Sequence, residues 1–285
     1  MNSFIIKFIS FIKGITITPV DDKVIRLTKK EKELILRKSI LGKCILNFEK
    51  VFKYSKDNKI NLTKKYFEIN FSGKTITTDF EQVKEIDDAI LKYNIYYKLK
   101  SGDIVFDLGG YHGVYSLWAS TLVGPLGKVY CFEPDPINFE ILKENIEKNN
   151  ITNIILINKA ISNKNQTQRF FIRGHGSRIV DEAFKTNTKG ALCTIPSIPL
   201  SQFIKEKNIT KIDFIKADIE GAEIEFVDDY LKNILPLGIT PHLAIASYHY
   251  RKDLGTNTSK QIAKEFKKNG IKVNIGNKKH ECVFV

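Results

Sequence analysis

The sequence predicts an α/β fold in which residues 99–285 build a mostly parallel sheet of seven strands. From residue 100 onward, short apolar runs alternate with segments of helical period. These runs are continuously apolar, as expected for strands that helices cover on both faces. The last two runs, 271–275 and 281–285, are joined by too few residues for a parallel crossover, which predicts an antiparallel C-terminal hairpin.

The seven predicted strands follow one another along the second part of the chain. They lie at residues 104–108, 128–133, 153–160, 211–218, 242–247, 271–275 and 281–285. Segments of helical period follow the first two strands, over 113–124 and 136–150. We therefore expect five parallel strands with helices between them, followed by the hairpin.

Residues 1–98 are predicted to form a separate N-terminal α+β extension. Helical spacing predicts helices over 29–48 and 81–99. Alternation between them predicts a β-hairpin over 66–80.

An amphipathic helix is predicted over residues 1–17. Its apolar face consists of Phe4, Ile5, Phe8, Ile9, Phe11, Ile12 and Ile15. The apolar stretch is shorter than the roughly 20 residues that span a bilayer, and lysines interrupt it. Two roles stay open: packing on the protein's own core or on a second copy in a homo-oligomer, and peripheral contact with a membrane surface.

The chain is basic, with 45 Lys and Arg against 32 Asp and Glu and a net charge of +13. The lysines are scattered among acidic residues, which is typical of a compositional bias; a basic face for nucleic acid or anionic lipid is the alternative. None of the four cysteines forms a CxxC pair. We therefore expect reduced thiols in a cytoplasmic protein and no zinc site.

The stretch VFDLGGYHGVYS, residues 105–116, predicts a strand, a glycine turn and a helix. Asp107 stands at the end of the strand, and Gly109, Gly110 and Gly113 allow a tight turn. Ligands of such sheets bind at the carboxyl ends of the strands. A turn that holds no ligand is the alternative.

A second acidic residue, Glu133, ends the next predicted strand. Its carboxylate could accept hydrogen bonds from both hydroxyls of a ribose. A dinucleotide would bring its pyrophosphate close to Asp107, and like charges repel. The sign of the charge therefore favours a ligand with an ammonium group, such as S-adenosylmethionine.

Three stretches resemble the FkbM family of class I, Rossmann-like methyltransferases: residues 102–116, 127–146 and 212–227. The resemblance extends over about residues 80–285, and KADIEGAE within the third stretch is its most specific part. Tyr111 and His112 depart from the family pattern, which usually has a small residue and Asn there.

This resemblance implies S-adenosylmethionine as the cofactor. Asp107, Gly109 and Gly113 would line its methionine portion, Glu133 the ribose, and Ala160 the adenine. Asp218 would lie near the amine or the transferring methyl group. The full predicted cofactor site is Asp107, Gly109, Gly110, Tyr111, His112, Gly113, Ser116, Glu133, Pro134, Ala160 and Asp218.

Methyl transfer to a hydroxyl requires a base, because a hydroxyl is a poor nucleophile. The candidates are Asp218, Glu220 and His249. The same three side chains could coordinate a divalent ion, but no further carboxylate stands at a clear spacing. We therefore predict no metal site. Glu223 is interpreted as a charge at a helix start.

A glycine-rich loop, RGHGSR at residues 173–178, is a candidate lid over the acceptor. His175 lies at its centre, and Arg173 and Arg178 could bind an anionic acceptor.

The family resemblance implies an O-methyltransferase that acts on a hydroxyl of a glycan, glycolipid or secondary metabolite. The alternatives are an RNA methyltransferase and a non-catalytic scaffold for a partner or a membrane. Nucleic acid is not the expected partner, because the sequence shows neither an RNA-binding module nor an Asn/Asp-Pro-Pro-aromatic tetrad.

Overall fold

The computed structural model describes residues 6, 10, 13–54, 59–62, 64–251, 253–276 and 282–285. The chain divides into two compact units, Met1–Asp87 and Asp88–Val285. The division into an extension and a methyltransferase domain at residues 98 and 99 stays a prediction.

Most of the predicted helix over residues 1–17 lies outside the described residues, and its predicted end is wrong because a strand begins at Thr16. Its contact with a membrane or a second copy therefore stays a prediction. Within the described ranges, none of the helices has both the length and the apolar character needed to cross a bilayer.

The first unit contains a four-stranded sheet, short helices and a hairpin. Its elements are β1 (Thr16–Pro19), β2 (Val24–Lys29), β3 (Lys32–Arg37), a 3₁₀ turn (Lys38–Ile40), α1 (Leu41–Leu46), α2 (Phe48–Lys53), β4 (Lys59–Leu62), β5 (Tyr66–Phe71) and β6 (Lys74–Asp79). The sheet has the order β1-β2-β3-β4, and β3 and β4 are its parallel pair. β5 and β6 pair antiparallel, which confirms the predicted hairpin.

The predicted helix over residues 29–48 is wrong in its first half, where β3 lies. Leu34 and Leu36 are fully buried while Ile35 between them is less so. Three consecutive apolar residues fit helical and strand periods alike, and pairing with β2 selects the strand. Helix α3 (Phe80–Tyr93) follows the hairpin and ends earlier than the predicted residue 99.

The second unit alternates strands and helices. Its elements are β7 (Ile104–Leu108), α4 (Val114–Val123), β8 (Lys128–Phe132), α5 (Pro136–Lys148), β9 (Ile154–Ile157), β10 (Ala160–Ile161), β11 (Gln166–Ile172), β12 (Arg178–Ile179), β13 (Ala191–Ile198), α6 (Leu200–Glu206), β14 (Phe214–Ala217), α7 (Glu223–Asp229), a π-helical turn (Tyr230–Ile234), a 3₁₀ turn (Leu235–Leu237), β15 (His242–Ala246), β16 (Tyr250–Arg251), β17 (Thr256–Asn257), α8 (Ser259–Lys268), β18 (Asn274–Ile275) and β19 (Cys282–Phe284).

The central sheet has the order β18-β19-β15-β14-β7-β8-β9. Five strands are parallel, and β19 is antiparallel to both β15 and β18. This confirms the predicted seven-stranded α/β fold with its C-terminal hairpin. The chain runs from β7 outward to β8 and β9 and continues on the other side with β14 and β15. The strand order therefore reverses between β7 and β14, where ligands of such sheets bind.

Buried apolar side chains on the central strands form the core. Phe106, Leu108, Ile215 and Ile245 are fully buried. Each such side chain contributes on the order of 1.5–3 kcal/mol relative to exposure. The ends of these strands are held rigidly by this packing, which fixes the side chains that follow them.

A second, smaller sheet of order β10-β13-β11-β12 was not predicted. Its own core is small, with Ala160, Phe170 and Ile195 as the buried residues. A strand with few buried positions has little apolar period, so the sequence gives a weak signal there. The loop at residues 173–178 connects β11 to β12.

Candidate functional site

The candidate site lies at the carboxyl ends of β7, β14 and β15. Asp107 is part of β7, where it pairs in register with Lys216 of β14. Asp218 follows β14 directly, and His249 follows β15. Because the carboxyl ends of parallel strands share one edge, these residues converge beside the switch point.

Asp107 is fully buried and bound by its own chain. Lys216 donates to its Oδ1 at 2.7 Å, and Ser116 donates to its Oδ2 at 2.7 Å. Burial lowers the pKa of Lys216, but the charges of Asp107 and Asp218 outweigh this and raise it. Asp107 therefore presents no unbalanced charge to a ligand, which corrects the electrostatic reason for its predicted role. Contact of Asp107 and Ser116 with the cofactor stays a prediction.

The three glycines of the turn are required by packing within the chain. Gly109 and Gly113 have φ values of +88° and +87°. A Cβ atom at Gly109 would clash with the carbonyl oxygen of Asp218, and one at Gly113 with Leu142. A Cβ at Gly110 would likewise clash with a neighbouring side chain. The turn is thus a close crossing of backbone and side chains, and its contact with a ligand stays a prediction.

Tyr111 and His112 are integrated into the turn. Tyr111 has a φ of +51°, a left-handed conformation that is uncommon outside glycine. Its ring stacks on the His112 ring at 3.8 Å between centroids and meets the His175 ring edge-on at 5.7 Å. His112 is fully buried, and its carbonyl accepts from Asn145 at 2.8 Å. These two positions depart from the family pattern without breaking the turn.

Glu133 faces the glycine turn from the end of β8. Its Oε2 accepts from the backbone N–H of Tyr111 at 2.7 Å, and its Oε1 from that of Asp135 at 2.9 Å. Burial raises the pKa of Glu133 to about 8 even though both donors favour the charged form. The side chain lies where the ribose is predicted, next to Pro134. Ala160 is buried in β10. The roles of all three stay predictions.

The loop at residues 173–178 is tied to the edge of the sheet. Ser177 donates to Oδ2 of Asp135 at 2.6 Å. A Cβ atom on Gly176 would lie 3.7 Å from Oε2 of Glu220. The loop therefore lies beside the acidic edge, as a lid would, and its function as one stays a prediction.

Asp218 is held by two tyrosines. Tyr93 donates to its Oδ2 at 2.6 Å and Tyr248 to the same oxygen at 3.1 Å. Burial raises the pKa of Asp218, but the positive charges of His249 and Lys92 outweigh it, so the pKa lies well below its ordinary range. Asp218 is therefore an ionised carboxylate at neutral pH.

His249 lies among three carboxylates, and its side chain is 10% exposed. Its Nδ1 is 2.8 Å from Oε1 of Glu223. Its Nε2 is 3.4 Å from Oδ1 of Asp218 and 3.6 Å from Oε1 of Glu220. Burial lowers the pKa of His249, but the charges of Glu223, Glu220 and Asp218 raise it well above its ordinary value. The imidazole is thus stabilised in its charged form.

Glu223 does more than charge the start of α7. It is fully buried, and it accepts from the backbone N–H groups of Ile219 and Gly221 at 3.0 Å each. It therefore closes the turn that carries Glu220, whose φ is +54°. The sequence places Glu223 at the helix start, whereas its contact with His249 depends on where β15 ends.

Sequence reasoning missed Lys216, Tyr93 and Tyr248. A lysine within the apolar run FIKA was the available signal for Lys216, since a buried ammonium needs a carboxylate partner. The tyrosines carry no such signal, because aromatic residues near strands and helix ends usually belong to the core.

Comparisons with known proteins identify the family of this chain. The family described as Methyltransferase FkbM domain matches residues 107–273, more than half of the chain. An uncharacterized protein of Methanocaldococcus jannaschii is 29% identical over 139 residues, which are 49% of this chain and 47% of that protein. The chain thus spans about half the length of this curated relative.

Several solved structures are similar in fold. The FkbM methyltransferase of Methylobacillus flagellatus is 16% identical with a TM-score of 0.45, over 86% of this chain and 59% of that one. A SAM-dependent methyltransferase of Aquifex aeolicus is 18% identical with a TM-score of 0.41, over 72% of this chain and 92% of that one. The match of the family domain over residues 107–273 is the decisive finding, and this chain belongs to the FkbM methyltransferase family.

Proposed function

We propose that this protein transfers a methyl group from S-adenosylmethionine to a hydroxyl of a glycan, glycolipid or other small molecule. Membership in a methyltransferase family supports the reaction class. The observation that carries the hydroxyl acceptor is the cluster of Asp218, Glu220 and His249 at the carboxyl edge of the sheet.

The donor set of the site fits S-adenosylmethionine. The carboxyl of Glu133 suits the ribose hydroxyls at the end of β8. The ionised Asp218 and the neighbouring Glu220 suit the positive charges of the ammonium and sulfonium groups. The negative charges of Asp218 and Glu220 would repel the diphosphate of a dinucleotide. Asp107 would not, because Lys216 neutralises it. We propose that the glycine turn, with Tyr111 and the residues that flank it, lines the methionine portion.

The bound cofactor supplies an activated methyl carbon, and the O–CH₃ bond forms as the S–CH₃ bond breaks. The acceptor's proton must go to a base. His249 is stabilised in its charged form and has no free lone pair to offer. The lowered pKa of Asp218 makes it a weak base.

We therefore propose that Glu220 accepts the proton. Its side chain is 27% exposed, more than Asp218 at 23% or His249 at 10%. Its Oε2 faces the loop at residues 173–178, where an acceptor would be covered. The guanidinium groups of Arg173 and Arg178 at the ends of this loop would hold an anionic acceptor.

The test uses methyl-labelled S-adenosylmethionine with glycan, lipid and RNA fractions of cell extracts. The proposal predicts label in a nuclease-resistant product that is stable to alkali, as a methyl ether is. Glu220→Gln should lower kcat by about 10²–10⁴-fold, far more than it weakens binding of S-adenosylhomocysteine. Glu144→Gln, at an exposed position of α5, is the matched control. Label that nuclease releases, or that alkali removes, would refute the hydroxyl acceptor proposed here.

A further inference from the structure

Three ligand-type atoms converge at the carboxyl edge of the sheet. Nε2 of His249 lies 3.4 Å from Oδ1 of Asp218 and 3.6 Å from Oε1 of Glu220. These separations exceed the usual length of a hydrogen bond between nitrogen and oxygen. Ligands bound at about 2.0–2.2 Å from one ion lie about 3.0–3.5 Å apart, so the distances from Nε2 to the two oxygens are close to those of ligands that share a cation.

The ring of His249 is oriented by a carboxylate on its other side. Nδ1 is 2.8 Å from Oε1 of Glu223, which is itself fully buried and fixed by the backbone N–H groups of Ile219 and Gly221. Histidines that bind metals commonly have a carboxylate at the nitrogen that faces away from the ion. Glu223 thus directs Nε2 towards Asp218 and Glu220.

Neither ring nitrogen of His249 has a well-formed hydrogen bond among the described residues, and Nε2 is the one that faces the two carboxylates. The His249 side chain is only 10% exposed, so water does not readily compensate. A buried polar atom without a partner is costly and requires an explanation. A cation that displaces the proton from Nε2 and is bound by this nitrogen and by both carboxylates would satisfy all three groups. Asp218, Glu223 and His249 also offer ligand atoms within 4.8 Å of one another.

The remaining sides of the cluster are open. Asp218 and Glu220 are 23% and 27% exposed, and hydroxyl groups of Tyr93 and Tyr248 hold Asp218 in place. A cation here would have free coordination positions for water or for a hydroxyl of the acceptor. A metal-bound hydroxyl loses its proton more readily than a free one.

We infer that Asp218, Glu220 and His249 bind one divalent cation, with Glu223 as the positioning residue. Two carboxylate oxygens and one imidazole suit Mn²⁺ better than Mg²⁺, which strongly prefers oxygen. This reverses the expectation of no metal site, because the fold brings the additional carboxylate of Glu223 behind the histidine. Binding of the ion does not depend on the proposed function, whereas a part in activating the hydroxyl does. The ion would bind Oδ1 of Asp218 and Oε1 of Glu220, which leaves Oδ2 of Asp218 for the cationic donor and Oε2 of Glu220 for the acceptor's proton.

Electron paramagnetic resonance of Mn²⁺ tests the site in the full chain. The inference predicts one bound Mn²⁺ per chain, with the ¹⁴N coupling of a directly bound imidazole in pulsed spectra of the unmodified protein. Asp218→Asn should weaken binding at least about tenfold, and Glu223→Gln by about 10–100-fold. Glu144→Gln should bind as the unmodified chain does.

Absence of binding at millimolar Mn²⁺, or bound Mn²⁺ without nitrogen coupling, would overturn the inference. The pulsed spectra need no variant, so they decide even if Asp218→Asn does not fold. Calorimetry with S-adenosylhomocysteine on the same samples separates the two proposals. Cofactor binding without Mn²⁺ binding refutes the metal site alone, and Mn²⁺ binding without cofactor binding refutes the proposed function alone.

Discussion

Replacing Lys216 with methionine would leave the Asp107 carboxylate buried under the glycine turn without its cation. The Lys216 and Asp107 side chains are 6% and 0% exposed, and the ion pair measures 2.7 Å. Lys216 also donates to the carbonyl of Gly109 at 2.6 Å, so the change removes two contacts. Water cannot replace them at this depth, and an uncompensated buried charge is strongly destabilising.

The expected cost is about 3–5 kcal/mol of the free energy of unfolding, the range for breaking one partner of a buried pair. Adding Asp107→Asn to Lys216→Met removes the buried carboxylate charge that the single variant leaves without a partner. The double variant should therefore recover about 1–3 kcal/mol relative to the single variant, as expected for coupled neighbours.

Urea unfolding, followed by the fluorescence of Trp118, measures this cost. Trp118 is the single tryptophan of the chain and lies on α4, so its signal reports the second unit. The control is Lys211→Met, which removes an ion pair of similar length, 2.8 Å, whose lysine is 68% exposed. It should not measurably change stability. A loss below about 1 kcal/mol for Lys216→Met, or no recovery in the double variant, would refute the reasoning.

Three further predictions follow from the same geometry. The pKa of Glu133 is raised from 4.5 to about 8, so the folded state binds this proton more tightly than the unfolded state does. The free energy of unfolding should therefore fall by up to about 5 kcal/mol as the pH rises between these values. Glu133→Gln should remove this pH dependence of unfolding, and an unchanged pH dependence would contradict the prediction. Gly109→Ala should lower the free energy of unfolding in urea by at least about 2 kcal/mol, because the φ of Gly109 is +88° and a Cβ atom there would clash with Asp218. An unchanged free energy of unfolding would contradict this and show that the turn can shift. Ser177→Ala removes the 2.6 Å hydrogen bond to Asp135 and should speed amide exchange in the loop about tenfold, and unchanged exchange would contradict this role.

The sequence allowed the central sheet to be predicted because its strands are continuously apolar between glycines and polar turns. The glycine turn and the residues that end β7, β8 and β14 were located on the same grounds. The helix over 29–48 was wrong, because consecutive apolar residues in β3 do not distinguish the two periods.

Interactions across the sheet could not be read from spacing. Lys216 meets Asp107 only because β14 pairs in register beside β7. The ion pair changes the account of the charge, since the net negative charge lies on the three carboxylates around His249 rather than on Asp107. His249 contacts Glu223 because β15 ends next to the start of α7. No local sequence pattern predicts this contact.

The central claim is that the carboxylate edge at Asp218 binds a cationic methyl donor. Calorimetry with S-adenosylmethionine, S-adenosylhomocysteine and NAD⁺ tests it most directly. We predict binding of both sulfur compounds and none of NAD⁺, and Asp218→Asn should weaken the sulfonium compound more than the neutral thioether. NAD⁺ bound in place of the sulfur compounds, or equal affinities in Asp218→Asn and the unmodified chain, would contradict the claim.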